Sequence, residues 1–174
     1  MLQHKKKNTD AEILTKLKEV RFFKMYSDND TVIEKIAGLC TVKKFNKGIS
    51  IIKEKDYGDE FFIFLRGEIE IVKKTMQGEH YTLSTLDSNA SGICVGEFAL
   101  IDNDRRSATV IAKTACKCLV IKRERFVKFG NENPEIGLNI TREIARQLSA
   151  MLRKTNSDVI TLFSALVEEI GGTK

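Results

Sequence analysis

The sequence predicts an α+β fold: a β-roll or jelly-roll barrel of short antiparallel strands, with helices before it and a long helix after it. Three observations carry that expectation. Short β-rich runs recur at roughly 8–12 residue intervals between Val42 and Lys122, separated by turn residues. No long helical pattern interrupts them, which excludes a doubly wound parallel sheet. On either side the apolar residues change to steps of three and four, the period of a helix.

Residues 1–41 form an N-terminal helical segment. Ile13, Leu14, Leu17 and Val20 share one apolar face, and Val32, Ile33, Ile36 and Leu39 another. Ser27-Asp28-Asn29-Asp30 between them is turn and N-cap chemistry, so two short helices are expected. Residues 42–122 form the roll. Its strands are expected at Ile49–Lys53, Glu60–Arg66, Glu68–Lys74, Tyr81–Leu86, Ala108–Lys113 and Cys118–Lys122. Turns fall at Asn46-Lys47-Gly48, Tyr57-Gly58-Asp59, Gly67, Gln77-Gly78-Glu79 and Asp102-Asn103-Asp104. Residues 123–174 are helical again. Asn133-Pro134-Glu135 starts a long helix, since proline is tolerated in a first turn. Ala145, Leu148, Leu152, Thr155, Val159, Leu162 and Leu166 follow in alternating steps of three and four, which is heptad spacing. Asn156-Ser157-Asp158 could instead cap a separate last helix.

Composition excludes several classes of function. With 174 residues, 42% of them hydrophobic, the chain buries a real core and is not disordered. Its net charge of +5 is too mild to argue for nucleic acid, and Lys113, Lys117, Lys122, Arg123, Arg125 and Lys128 read as a solvated face. No apolar run approaches the roughly 20 residues of a membrane span. The basic start MLQHKKKNTD is not followed by the apolar stretch of a secretory signal. Four cysteines without an export signal are then expected to be reduced thiols, and the location cytoplasmic. Two histidines, His4 and His80, cannot supply a multi-histidine metal site, and Cys116-x-Cys118 has no second ligand pair. There is no nucleophile with a base in a recognisable motif and no Walker-type loop. No catalytic residue, metal or resident cofactor is therefore expected.

The informative stretch runs from Gly96-Glu97-Phe98-Ala99-Leu100 through Arg105-Arg106-Ser107-Ala108-Thr109. A glycine lets the backbone approach a ligand, and the first amides after Glu97 are the free donors of a helix start. An arginine a few residues on can close over the same anion in a bidentate grip. Glu97 beside an anion site makes sense if its carboxylate accepts hydrogen bonds from a sugar hydroxyl. The plainer reading is a surface hairpin in which Glu97 and Arg106 pair, worth at most ~1 kcal/mol.

This segment resembles the phosphate-binding cassette of the cyclic-nucleotide-binding domains found in catabolite-activator-type regulators, protein kinase regulatory subunits and gated channels. The turns Asn46-Lys47-Gly48, Gly58-Asp59 and Arg66-Gly67, and Asn133-Pro134-Glu135 at the helix head, resemble the same family, so the likeness covers roughly residues 12–153. The resemblance implies that Glu97 bonds the ribose 2′-hydroxyl and Arg106 neutralises the cyclic phosphate. Ser107 adds a hydroxyl, Gly96 the close approach, and Phe98, Ala99 and Ala108 backbone donors. It places Ser84 and Leu86 on the barrel wall beside the base. Leu148, Met151 and Leu152 become candidates for a helical lid, with plain helix packing as the alternative. Arg105 is read as a solvent residue. Two features depart from the family. Cys94-Val95 stands where an aromatic is usual before the Gly-Glu pair, and the loop from Asp87 to Ile93 is longer. Cys94 reads as a small apolar residue rather than a redox sensor.

The implied function is a cyclic-nucleotide receptor, cAMP rather than cGMP by family frequency, signalling through its C-terminal helix. The alternative is a ligand-independent scaffold or dimerisation module that keeps the fold. Only 21 residues follow Arg153, too few for a helix-turn-helix domain, so a DNA-binding output is not expected. Val159, Leu162, Phe163, Leu166, Val167 and Ile170 make an amphipathic stripe. It could dock back on the barrel, pair two copies, or bind a separate partner.

Overall fold

The computed structural model describes residues 2–171. Its organising element is β3 (Glu60–Arg66), whose run Phe61-Phe62-Ile63-Phe64-Leu65 is buried at every position. A strand can be apolar throughout only when both its faces are covered. Phe61, Ile63 and Leu65 join Leu119 and Ile121 of β8 (Cys116–Lys122) in one core, and Phe62 and Phe64 join Cys118 and Val120 in another.

Helices cover the first of these faces. They are α1 (Leu2–Glu19), the 3-10 helix η1 (Arg21–Tyr26), α2 (Asp30–Ala37), α3 (Arg123–Glu132) and the first turns of α4 (Pro134–Gly171). Leu17, Phe22, Ile36, Phe126 and Ile140 are among the side chains they bury there. The second face meets another sheet through Ile52, Ile69, Val110 and Ala112. One sheet has the order β1 (Thr41–Phe45), β8, β3, β6 (Cys94–Val95). The other has β2 (Ser50–Ile52), β7 (Thr109–Ala112), β4 (Glu68–Lys74), β5 (His80–Asp87), and every pairing in both is antiparallel. The α+β roll between helices is thus present.

The expected strand runs return with ends shifted by a residue or two, while β1 and β6 are additional. β1 reads Thr-Val-Lys-Lys-Phe and pairs only with β8, so its lysines mark a protected sheet edge rather than a loop. At the N-terminus Asn29 caps α2, its side chain accepting from the Val32 amide at 3.2 Å.

The long helix corrects two expectations. Asn156-Ser157-Asp158 lies inside α4, which runs unbroken for 38 residues, so there is no separate last helix. The face that α4 buries is Gly137, Ile140 and Ile144, with Ile136 packed beside them. From Leu148 to Gly171 every residue is exposed, so the stripe from Val159 to Ile170 does not dock on the barrel. The heptad seam faces solvent. No described helix is long and apolar enough to cross a membrane.

Candidate functional site

The chain leaves β6 through Gly96, whose φ of 79° lies in the left-handed region. A Cβ there would also stand 2.7 Å from Arg106 Nη1, so glycine is required twice over. The 3-10 helix η2 (Glu97–Leu100) follows. A polar loop then returns to β7, and the neighbouring loop before β3 holds it: Arg106 N donates to Asp56 O, and Lys55 N to Arg106 O, both at 2.9 Å. Arg105 turns outward, its guanidinium 5.1 Å above the Tyr57 ring.

Arg106 turns inward. Its Nη2 donates to Glu60 O at 2.6 Å and its Nη1 to Gly96 O at 3.4 Å. Gly58 lies against the other side, where a Cβ would come within 2.6 Å of Nε. Burial lowers the guanidinium pKa, while Glu60, Asp59, Asp102 and Glu97 raise it. A guanidinium has five N–H donors and stays charged, so two carbonyl bonds leave capacity for an anion.

Glu97 is held differently. Burial pushes its carboxyl above the usual range, partly opposed by the amides of Glu97 and Gly96 and by the charge of Arg106. Its side-chain partner comes from α4: Gln147 Nε2 donates to Glu97 Oε1 at 3.1 Å. Among the described residues no ion pair joins Glu97 to Arg106, so the pairing expected of a plain surface hairpin is absent. Burial also pushes the Cys94 thiol up, with the Glu97 charge adding to it, and a protonated thiol is a poor nucleophile.

These side chains border a cavity of about 250 Å³. Of the residues singled out in the sequence, Gly96, Glu97, Phe98, Arg106, Ser107, Ala108 and Met151 line it. Ala99 is buried, and its amide is already spent on Gly96 O at 3.1 Å, which closes the turn. Ser84 and Leu86 are half-buried on β5 outside this lining, Leu86 against the second core. Leu83 takes the place on the wall, for a specific reason. Ile71 pairs with Ser84 and Val72 with Thr82, which leaves Leu83 as the extra residue of a β-bulge. Leu148 and Leu152 are exposed on α4 and are not part of the lining.

Ile52, Ile71, Val95 and Val110 supply the apolar floor. Ile52, Ile71 and Val110 lie in β-runs visible in the sequence and Val95 in the unexpected β6, but nothing local says which face looks into a cavity. Gln147 carried no signal at all, being 50 residues from its partner. A larger groove of about 670 Å³ lies between Asp59, Asn103 and α3. Its walls mix Arg123 and Lys128 with Glu124 and Glu132, and Val127 is the one apolar side chain in the lining.

An arginine, a sheltered carboxylate and an apolar floor thus border one small cavity. The sequence pattern described as "Cyclic nucleotide-binding domain" matches residues 42–133. The chain belongs to this family. The cAMP-activated global transcriptional regulator CRP of Salmonella typhimurium is 26% identical over 129 residues, 74% of this chain and 60% of the regulator. Mouse cGMP-dependent protein kinase 2 is 34% identical over 118 residues, 67% of this chain and 15% of the kinase. The catabolite activator protein of Thermus thermophilus superposes with a TM-score of 0.71 at 20% identity, over 82% of this chain and 62% of that one. That likeness is one of fold. The chain spans about 60% of the length of the regulator it matches. As a cyclic-nucleotide-binding domain it carries a non-catalytic sensor fold, and the ligand its family implies is a cyclic nucleotide.

Proposed function

We propose that the chain is a cyclic-nucleotide receptor, preferring cAMP to cGMP, that passes ligand binding to a second copy or a partner protein by moving α4. One observation carries the reading: Arg106, Glu97 and Ser107 border the same cavity as the apolar side chains of Ile52, Ile71, Leu83 and Val110. A cyclic mononucleotide presents one negative charge, a ribose hydroxyl and a flat base. Arg106 meets the charge with paired donors. Glu97 accepts from the hydroxyl, and Ser107 with the amides of Phe98 and Ala108 completes the phosphate cradle. The base lies on the apolar floor. The relatives' own names divide between cAMP and cGMP, and the preference follows the regulator that aligns with the larger share of this chain.

The cavity, about 250 Å³, is slightly smaller than the roughly 300–1,000 Å³ of common small-molecule sites. Met151 of α4 forms part of its wall, so a nucleotide seated there shifts the part of the helix beyond Gln147 and closes it over the base. The ligand then shifts α4 by its differential affinity for the two positions. Ser84, Leu86, Leu148 and Leu152 complete the base contacts once the helix has moved. On this reading residues 1–41 brace the roll, 42–122 bind the ligand and 123–174 serve as lid and interaction surface. Cys40, Cys94, Cys116 and Cys118 are all free thiols, which supports a cytoplasmic location.

Calorimetric titration with cAMP, cGMP and AMP tests this. One-to-one binding of cAMP, weaker binding of cGMP and no heat with AMP are expected. If neither cyclic nucleotide binds, the receptor reading fails and the ligand-independent scaffold stands.

A further inference from the structure

The buried face of α4 is tied down by a ladder of polar contacts. Asn139 Nδ2 donates to Tyr26 Oη at 3.0 Å, Arg21 Nε donates to Glu143 Oε1 at 3.3 Å, and Gln147 Nε2 donates to Glu97 Oε1 at 3.1 Å. Residues four apart stack on one helix face, and this one flanks the apolar line of Ile136, Ile140 and Ile144. The first two rungs end on η1, in the helical layer. The third ends on the carboxylate of the cassette. Beyond it every residue of α4 is exposed.

Gln147 is therefore where α4 leaves the body, and its partner is the group assigned to the ribose. A carboxylate has two oxygens. The amide occupies Oε1, so a sugar hydroxyl can donate to Oε2 without displacing it. A nucleotide over Glu97 also removes water from around this bond, and an electrostatic hydrogen bond strengthens as its surroundings dry. The neutral amide orients the carboxylate and leaves its charge intact.

We propose that Gln147 is the coupling residue between cassette and helix: it positions Glu97 for the ribose and holds α4 to the cassette at this point more firmly when the site is filled, so that the helix beyond it follows the ligand. The coupling rests on the cyclic-nucleotide reading, whereas the tether itself rests on the Gln147–Glu97 contact alone.

Hydrogen exchange of the full chain, with and without cAMP, separates the two. In the unliganded protein Gln147→Leu is expected to speed exchange of the amides of 145–156 by about 10-fold, the loss of one hydrogen bond to a charged group. Amides of β3 and β8 should be unchanged, which shows that the variant is folded. Gln147→Lys keeps a donor in reach of the carboxylate and is expected to restore protection. With cAMP at saturation, the parent should slow exchange over the same segment, while Gln147→Leu binds the nucleotide without that response. Unchanged exchange in unliganded Gln147→Leu overturns the tether. An undiminished cAMP response in that variant overturns the coupling. If the parent binds no cyclic nucleotide, the receptor reading falls and the coupling with it, and the unliganded comparison still decides the tether.

Discussion

At the scale of residues, the site depends on two half-buried charges kept apart. Arg106 is threaded between Gly58 and Gly96 with its guanidinium on backbone carbonyls, and Glu97 faces α4. Because Arg106 is not spent on Glu97, it is available to an anion. Arg106→Ala is expected to weaken cAMP binding by about 100-fold, or about 3 kcal/mol for a paired charge-assisted contact, as read by titration calorimetry. Glu97 gives a second expectation, with a sign. Its folded-state pKa lies above the ordinary 4.5, so the folded protein holds this proton more tightly than the unfolded chain. The resulting stabilisation is complete below that ordinary value and is lost as the pH rises through the raised one. Urea unfolding between about pH 4 and 7 should show Glu97→Gln gaining on the parent as the pH rises. A parent–variant difference independent of pH would contradict it. Cyclic-nucleotide affinity of the parent should fall in the opposite sense, as acid protonates the acceptor.

At the scale of elements, the cassette was legible because its residues are local. Glu97 and Arg106 lie nine positions apart in one turn-helix-turn segment, and their residue types announce the chemistry. What sequence did not reveal was set by distant partners. The strand β1 was missing from the expected runs because its one partner, β8, is distant in sequence. Leu83 was hidden because a bulge turns it onto the cavity wall, where the family resemblance had placed Ser84 and Leu86. In α4 the period showed a seam at Ala145, Leu148 and Leu152, while the helix buries the neighbouring line of Ile140 and Ile144. Two substitutions separate these faces. Ile144→Ala should cost about 2–4 kcal/mol in chemical denaturation, as a core truncation does. Leu162→Asp, at a side chain 71% exposed, should leave the unfolding of the isolated chain within about 0.5 kcal/mol of the parent. If the seam pairs two copies, the parent sediments as a dimer and Leu162→Asp as a monomer; a monomeric parent assigns the stripe to a separate partner.

At the scale of the whole molecule, β3 and β8 sit between a helical layer and a second sheet, and the cavity opens on the sheet side. The helix α4 belongs to both regions. Its first turns pack in the helical core through Ile140 and Ile144, and Met151 reaches the cavity wall. A ligand there touches the roll and the helix at once, which is what a sensor requires and a passive scaffold does not.

The most direct test is thermal unfolding of the parent and of Arg106→Ala with cAMP, cGMP and AMP. At ligand 100-fold above its dissociation constant, binding should add about 2.7 kcal/mol, a rise in Tm on the order of 5–10 °C for a domain of this size. The expected result is a rise with cAMP, a smaller one with cGMP, none with AMP, and no more than about 1 °C with any nucleotide in Arg106→Ala. A parent whose transition stays still in millimolar cyclic nucleotide, or a variant that shifts as the parent does, would contradict the receptor.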